Sequence, residues 1–208
     1  MVLICDKNNH LLIVDTIDYD NNTKLNSYFD HIFDDYEQTF FDSLVDYNSK
    51  DGMNVSYEFD TEEDNLPEEL SYLVDLAYEY LTNNGFNVSK SKGTIDFWHY
   101  NVENDPIKDS LLSEHCDNDY SSNYSVHSCI FYTRKDDSFQ GGNLYYFLES
   151  DSSFMDFFGF DRKKYLLPIQ SNTVVLMDGD LYHQPEPYGG TGTRNSIVVS
   201  LMSLDDEE

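Results

Sequence analysis

The sequence predicts a mainly β fold, a sandwich or barrel braced by helices from its N-terminal portion. Three observations predict it. Apolar residues recur at helical spacing only in the first 92 residues. From about residue 93 the chain breaks into β-branched or aromatic runs at 94–102, 126–133, 143–148, 165–169, 173–177 and 196–204. Turn residues part these runs: Gly141-Gly142, Ser171-Asn172, Asp178-Gly179-Asp180 and the glycines of 189–192.

The first element is a strand pair, Leu3-Ile4 against 11–14, with Lys7-Asn8-Asn9 as the turn. Leu25, Tyr28, Phe29, Ile32, Phe33 and Tyr36 then keep helical spacing, continued by Phe40 and Leu44. Residues 49–65 hold Asp51-Gly52 and Glu62-Glu63-Asp64 and are expected to form a mobile polar loop. A second helix follows. Asn65 is its expected cap, Pro67 lies in its first turn, and Glu68-Glu69 complement the dipole. Leu70, Leu73, Val74, Ala77 and Leu81 form one stripe, which Asn83-Asn84-Gly85 ends. Such stripes usually serve core packing, so both helices are expected to buttress the strands.

A chain of 208 residues suits a single domain, expected over 1–208. With 17 Tyr and 14 Phe it is no disordered acidic tail. Twelve basic against 40 acidic residues leave a net charge of −28, too few cations for a phosphate-binding face. Nucleic-acid and membrane-surface partners are therefore disfavoured, and a macromolecular partner is expected to be basic or neutral. Apolar runs such as 11–14 and 174–177 are too short to span a bilayer, and no basic leader precedes Asp6. Three cysteines (Cys5, Cys116, Cys129) make no disulfide framework. These features set the expectation of a cytoplasmic protein without signal peptide or transmembrane segment.

The chemistry concentrates in the second half. His115-Cys116-Asp117 precedes the run at 126–133. On a strand, positions 115 and 117 point one way and Cys116 the other. An imidazole and a carboxylate about 7 Å apart along the chain can then converge on one metal ion. His-x-Asp is weak by itself in so Asp-rich a chain. His183, just past 173–177 and the turn Asp178-Gly179-Asp180, supplies a third candidate ligand. Two histidines and one carboxylate on one face leave the other face open, as in non-haem Fe(II) oxygenases. Arg194 is one of three arginines and follows the glycines of 189–192. A guanidinium aimed into a barrel needs an anion, and a dicarboxylate would pair with it bidentately, which Lys matches less well.

From about residue 94 to 204 the sequence resembles the Fe(II)- and 2-oxoglutarate-dependent oxygenases, within them the prolyl-hydroxylase-like group. His115-x-Asp117 matches the family's proximal ligand pair, and Cys129-Ile130-Phe131-Tyr132 looks like the strand after it. The segment Phe139-Gln140-Gly141-Gly142-Asn143-Leu144 matches Phe-x-Gly-Gly-x-Leu. Pro168, Ser171-Asn172 and 174–177 resemble the approach to the distal histidine, His183, and the glycine-rich stretch to Arg194 completes the order. The resemblance implies a double-stranded β-helix, a jelly roll of two antiparallel sheets with helices on one side. It implies a catalytic core over 93–204, with the N-terminal strand pair and supporting helices in 1–92. It also implies that His115, Asp117 and His183 hold Fe(II), and that Arg194 pairs the distal carboxylate of 2-oxoglutarate with help from Tyr132 and Ser196. O2 and 2-oxoglutarate would be consumed to succinate and CO2 while a substrate is hydroxylated, with ascorbate as an auxiliary reductant. Tyr100 is a further candidate for cosubstrate contact.

The expected substrate is a peptidyl or protein side chain, proline among the candidates; a free amino acid or small metabolite is the alternative. A non-catalytic jelly-roll binding domain is the rival from another class. His99 and His127 are expected to be structural, and His10 and His31 ordinary. Cys116 and Cys129 are expected to be small buried residues. Arg134-Lys135 and Arg162-Lys163-Lys164 read as solvated charges able to steer an anion.

Overall fold

The structure is a computed structural model; it describes residues 1–5, 11–34, 47–49, 52–61, 65–108, 112–120, 124–149 and 162–204. Along the chain these form β1 (Val2–Cys5), β2 (Leu11–Thr16), α1 (Tyr19–Asp34), β3 (Tyr47–Ser49), β4 (Gly52–Asp60), α2 (Glu68–Asn83), β5 (Val88–Lys108), β6 (Val126–Lys135), β7 (Phe139–Gly141), β8 (Leu144–Glu149), β9 (Arg162–Leu167), β10 (Thr173–Asp178), β11 (His183–Pro185) and β12 (Tyr188–Ser203). A single 3-10 turn, Asp117–Tyr120, precedes β6.

The large sheet runs β1-β2-β10-β6-β12-β5-β4-β3, with β7 also paired to β12, and the small sheet runs β11-β8-β9. Every pairing among the described strands is antiparallel. The result is a jelly-roll-like β sandwich, as the sequence predicts.

Alternation along the strands divides the large sheet into two faces. On β6, Cys129 and Phe131 face α1 and α2; on β10 Val174 and Leu176 do the same, and on β12 Ile197, Val199 and Leu201. The helices answer with Leu25, Phe29, Leu70, Leu73, Ala77 and Leu81. The residues between them point the other way. Ile130, Tyr132, Val175 and Met177 meet Leu144 and Tyr146 of the small sheet. The helices therefore brace one face and leave the other to a cavity between the sheets.

Several expectations are corrected. The stretch 49–65 is not simply a loop: β4 occupies Gly52–Asp60 and pairs along β5. Val55 and Phe59 enter the helix-side core, while Asn54, Ser56 and Glu58 line the cavity. A strand whose polar residues face a cavity has a polar composition. Asn65 does not cap α2; Pro67 holds that position and no side-chain cap forms. The helix ends where Asn83-Asn84-Gly85 places it, with the Asn84 N–H donating to Leu81 O. The glycines of 189–192 do not form a loop before a strand; they belong to β12. Register slips on both sides of Gly190, which holds φ +84° and makes the bulge possible. Lys7-Asn8-Asn9, Tyr36, Phe40 and Leu44 lie outside the described residues. Among the described residues no helix is long and apolar enough to cross a membrane.

Candidate metal centre and its cavity

A cavity of about 710 Å³ opens between the sheets, and His115, Asp117, His183, Tyr132, Arg194 and Ser196 all line it. His115, Asp117 and His183 come together at one side, their ligand atoms all within 4.8 Å of one another. His183 Nε2 stands 3.6 Å from Asp117 Oδ1, and His115 Nε2 3.9 Å. The rings of the two histidines are 4.3 Å apart between centroids.

The backbone makes this convergence. His115 N–H donates to His183 O at 3.0 Å and His183 N–H to His115 O at 2.7 Å, a lone antiparallel bridge. His183 is also the first residue of β11, opposite Tyr146 of β8. The sequence expectation that 115 and 117 alternate along a strand is corrected here: Asp117 opens the 3-10 turn. Asn118 fixes that turn. Its side chain donates to Asp180 Oδ1 at 2.7 Å and accepts from Val126 N–H at 2.8 Å. The Asp178-Gly179-Asp180 turn that delivers His183 thus also locks Asp117.

Each imidazole is oriented from behind. His115 Nδ1 meets Ser113 O at 2.8 Å, and His183 Nδ1 meets Leu181 O at 3.1 Å. A carbonyl only accepts, so each Nδ1 carries the proton and each Nε2 lone pair faces its neighbours, the tautomer a metal ligand needs. Asp117 Oδ2 accepts from the Ser128 hydroxyl, which contacts Ser200 Oγ at 2.8 Å.

Arg194 lies deeper along β12 and is only 4% exposed. Its guanidinium carbon is 5.0 Å from the centre of the Tyr132 ring and 5.4 Å from that of Tyr100. Its Nε finds no hydrogen-bond partner among the described residues. A buried cation with an orphaned donor is costly unless an anion completes it. Gly142 makes the space: at φ +62°, a Cβ there would lie 3.0 Å from Arg194 Cδ and 2.7 Å from the Phe139 ring. Burial pushes the Tyr132 hydroxyl up in pKa, while its hydrogen bond with Arg194 and the nearby charge pull it down. Tyr100 is also pushed up, chiefly by burial. Ser196 is buried directly opposite Tyr132.

The structure brings His115, Asp117, His183, Tyr132, Arg194, Ser196 and Tyr100 to one cavity, and sets Ser128 behind Asp117. Ser128 and Tyr100 share strand parity with Tyr132 and Trp98, but which face carries the cavity is set only by pairing. Lys135 pairs in register with Arg194 and donates to Asn143 Oδ1 at 2.8 Å and Ile169 O at 3.1 Å. Burial and Arg194 lower its pKa. Neither His99 nor His127 lines the cavity. His99 Nδ1 lies 2.8 Å from Asn195 Oδ1 beside Phe29, and the His127 ring is 5.1 Å from that of Phe86. Cys116 and Cys129 are buried, and burial drives the Cys129 thiol well up, away from the reactive thiolate.

Two imidazoles, one carboxylate and an open side suit a first-row divalent ion such as Fe(II), and the orphaned Arg194 Nε suits the carboxylate of a dicarboxylic acid. No protein-family model matches the sequence, and no curated protein does. Solved structures do match. A prolyl 4-hydroxylase from Phytophthora capsici aligns at TM-score 0.58 and 15% identity over 94% of this chain; the match spans 59% of that protein. A Pseudomonas putida prolyl-4-hydroxylase aligns at 0.56 and 13% identity over 94% of both chains. A 2OG-Fe(II) oxygenase family oxidoreductase from Burkholderia pseudomallei aligns at 0.56 and 13% identity, over 92% of this chain and 84% of that one.

Proposed function

We propose, from the fold it shares with the 2OG-Fe(II) oxygenases, that this chain is an Fe(II)- and 2-oxoglutarate-dependent dioxygenase hydroxylating a peptidyl or protein side chain. One observation carries the reading: His115, Asp117 and His183 converge at the wall of a cavity that also holds the buried, incompletely bonded Arg194. A metal-binding face and an anion-binding arginine in one cavity are what a redox metal and a dicarboxylate cosubstrate require. Nothing in the cavity or the comparisons speaks for ascorbate.

In this reading His115 Nε2, His183 Nε2 and an Asp117 oxygen hold Fe(II), which supplies O2 activation at the cavity wall. Ser113 O and Leu181 O keep the two imidazoles in the ligating tautomer, and Ser128 holds the second oxygen of Asp117. Arg194 binds the distal carboxylate of 2-oxoglutarate; Tyr132 and Ser196 add donors beside it. Ile130, Leu144 and Val198 supply apolar wall between these groups, so charged contacts there act in a low dielectric. The balance is that of a four-electron reduction of O2. Two electrons come from 2-oxoglutarate, which leaves as succinate and CO2, and two from the substrate C–H bond, which becomes C–OH.

The test is succinate release from 2-oxoglutarate under O2 with Fe(II), alongside a 16 Da mass gain on peptides from a random library. The expected result is both signals in the wild type and neither in His183→Ala. Succinate without any modified peptide overturns the peptidyl half of the proposal. No succinate from a folded protein overturns the oxygenase reading in favour of a binding domain.

A further inference from the structure

The cavity has a second charged end that the metal and the cosubstrate leave unexplained. In register, Ser196 lies opposite Trp98, Val198 opposite Asp96 and Ser200 opposite Thr94, and across β5 Asp96 meets Ser56 while Thr94 meets Glu58. All of these face the cavity. Two strand spacings, about 10 Å, separate Asp96 on β5 from the Ile130 row of β6, on the same face as Ser128, the partner of Asp117. The cavity itself is a ligand site by an independent sign, the unpartnered Nε of Arg194 at its other end.

Asp96 is what needs explaining. Its carboxylate is met by the hydroxyls of Ser56 and Thr94, the latter at a long 3.5 Å, and by no cation among the described residues. The nearest lysine along this face, Lys92, is engaged by Asp60 at 2.8 Å. Burial and the nearby Asp117 charge, against the hydrogen bonds from Ser56 and Thr94, raise the Asp96 carboxyl to about 6, so it still ionises near neutrality. Trp98 flanks it on the same strand face and offers a π surface to a cation.

Resting on the oxygenase reading, we infer that the substrate carries a cationic amine of the lysyl type and that Asp96 receives its nitrogen, with the Trp98 ring alongside. The cavity is then bipolar. Arg194 selects the anionic cosubstrate, Asp96 selects the cationic substrate, and the candidate metal ligands line the same cavity. A net charge of −28 favours approach of such a substrate.

Calorimetric titration decides it. L-lysine, Nα-acetyl-lysine methylamide and a lysine-containing peptide are each titrated beside the norleucine counterpart, into wild type and Asp96→Asn with Mn(II) and 2-oxoglutarate present. Expected is binding at least about tenfold tighter for the amine than for norleucine, lost in Asp96→Asn. Strength ranked across the three lysyl probes tells a free amino acid from a peptide as the source. Equal binding of amine and norleucine, or a preference that survives Asp96→Asn, overturns the inference. The norleucine comparison uses wild type alone, so it decides even if the variant fails to fold. Binding of 2-oxoglutarate with Mn(II) is measured separately. If that fails while the amine preference holds, the oxygenase reading falls and the cation site stands; if it succeeds without the preference, the reverse holds.

Discussion

In the proposed function Arg194 carries the cosubstrate site at a cost to the fold. A buried guanidinium whose Nε meets no partner among the described residues costs the ligand-free chain stability, and a bound carboxylate would offset that cost. With a divalent ion present, 2-oxoglutarate at a hundredfold over its Kd is therefore expected to stabilise the protein by about 2.7 kcal/mol, read as a rise in Tm. Arg194→Ala should abolish most of that rise. Ser128→Ala removes the donor to Asp117 and is expected to weaken metal binding by about ten- to a hundredfold, measured by competition with a chelator. Asp96 makes the pH-dependent case. Burial, helped by the nearby Asp117 charge, lifts it to about 6, above its ordinary 3.8, so the folded chain holds this proton more tightly. The stability it contributes is present below 3.8 and is lost as pH rises through 6, a loss of about 2–3 kcal/mol. Asp96→Asn should thus be more stable than wild type at pH 8, with the gap closing toward pH 5 in urea unfolding. Equal stability at pH 8 would show that Asp96 is not buried as a charge.

At the scale of elements, legibility followed burial on both faces. The run at 126–133 is recognisable because Cys129 and Phe131 meet helices while Ile130 and Tyr132 meet the small sheet, so every position is apolar or buried. β4 escapes because its cavity face is Asn54, Ser56 and Glu58, polar residues that look like a loop until the cavity is known. Asp96 and Ser128 escape for the same reason. The 3-10 turn at Asp117 escapes because Asn118 ties it through side-chain bonds that spacing does not reveal. The candidate ligands were legible through the ordered motifs around them, since His-x-Asp by itself is weak in so Asp-rich a chain. Gly142→Ala tests how far β7 and β12 depend on one another. Its Cβ would press on Arg194 Cδ and the Phe139 ring at a positive φ. The expected cost is about 1–3 kcal/mol in unfolding free energy, together with weaker 2-oxoglutarate binding.

The whole molecule is a sandwich with a division of labour between its faces. The helices pack on one face of the large sheet, and the other face carries polar and charged groups around a cavity. Leu73, wholly buried between α2 and the sheet, is a test of that brace: Leu73→Ala should cost about 2–5 kcal/mol and leave the distances among the candidate ligands to the backbone bridge of His115 and His183. The central claim is that one cavity holds a divalent metal and a 2-oxo dicarboxylate together. The most direct measurement is anaerobic titration of the metal-free protein with Fe(II) and then 2-oxoglutarate, followed by visible absorption. Expected is a metal-to-ligand charge-transfer band that saturates with 2-oxoglutarate, shifts to higher concentration in Arg194→Ala and is missing in His183→Ala. A folded wild-type protein that develops no band would contradict the account.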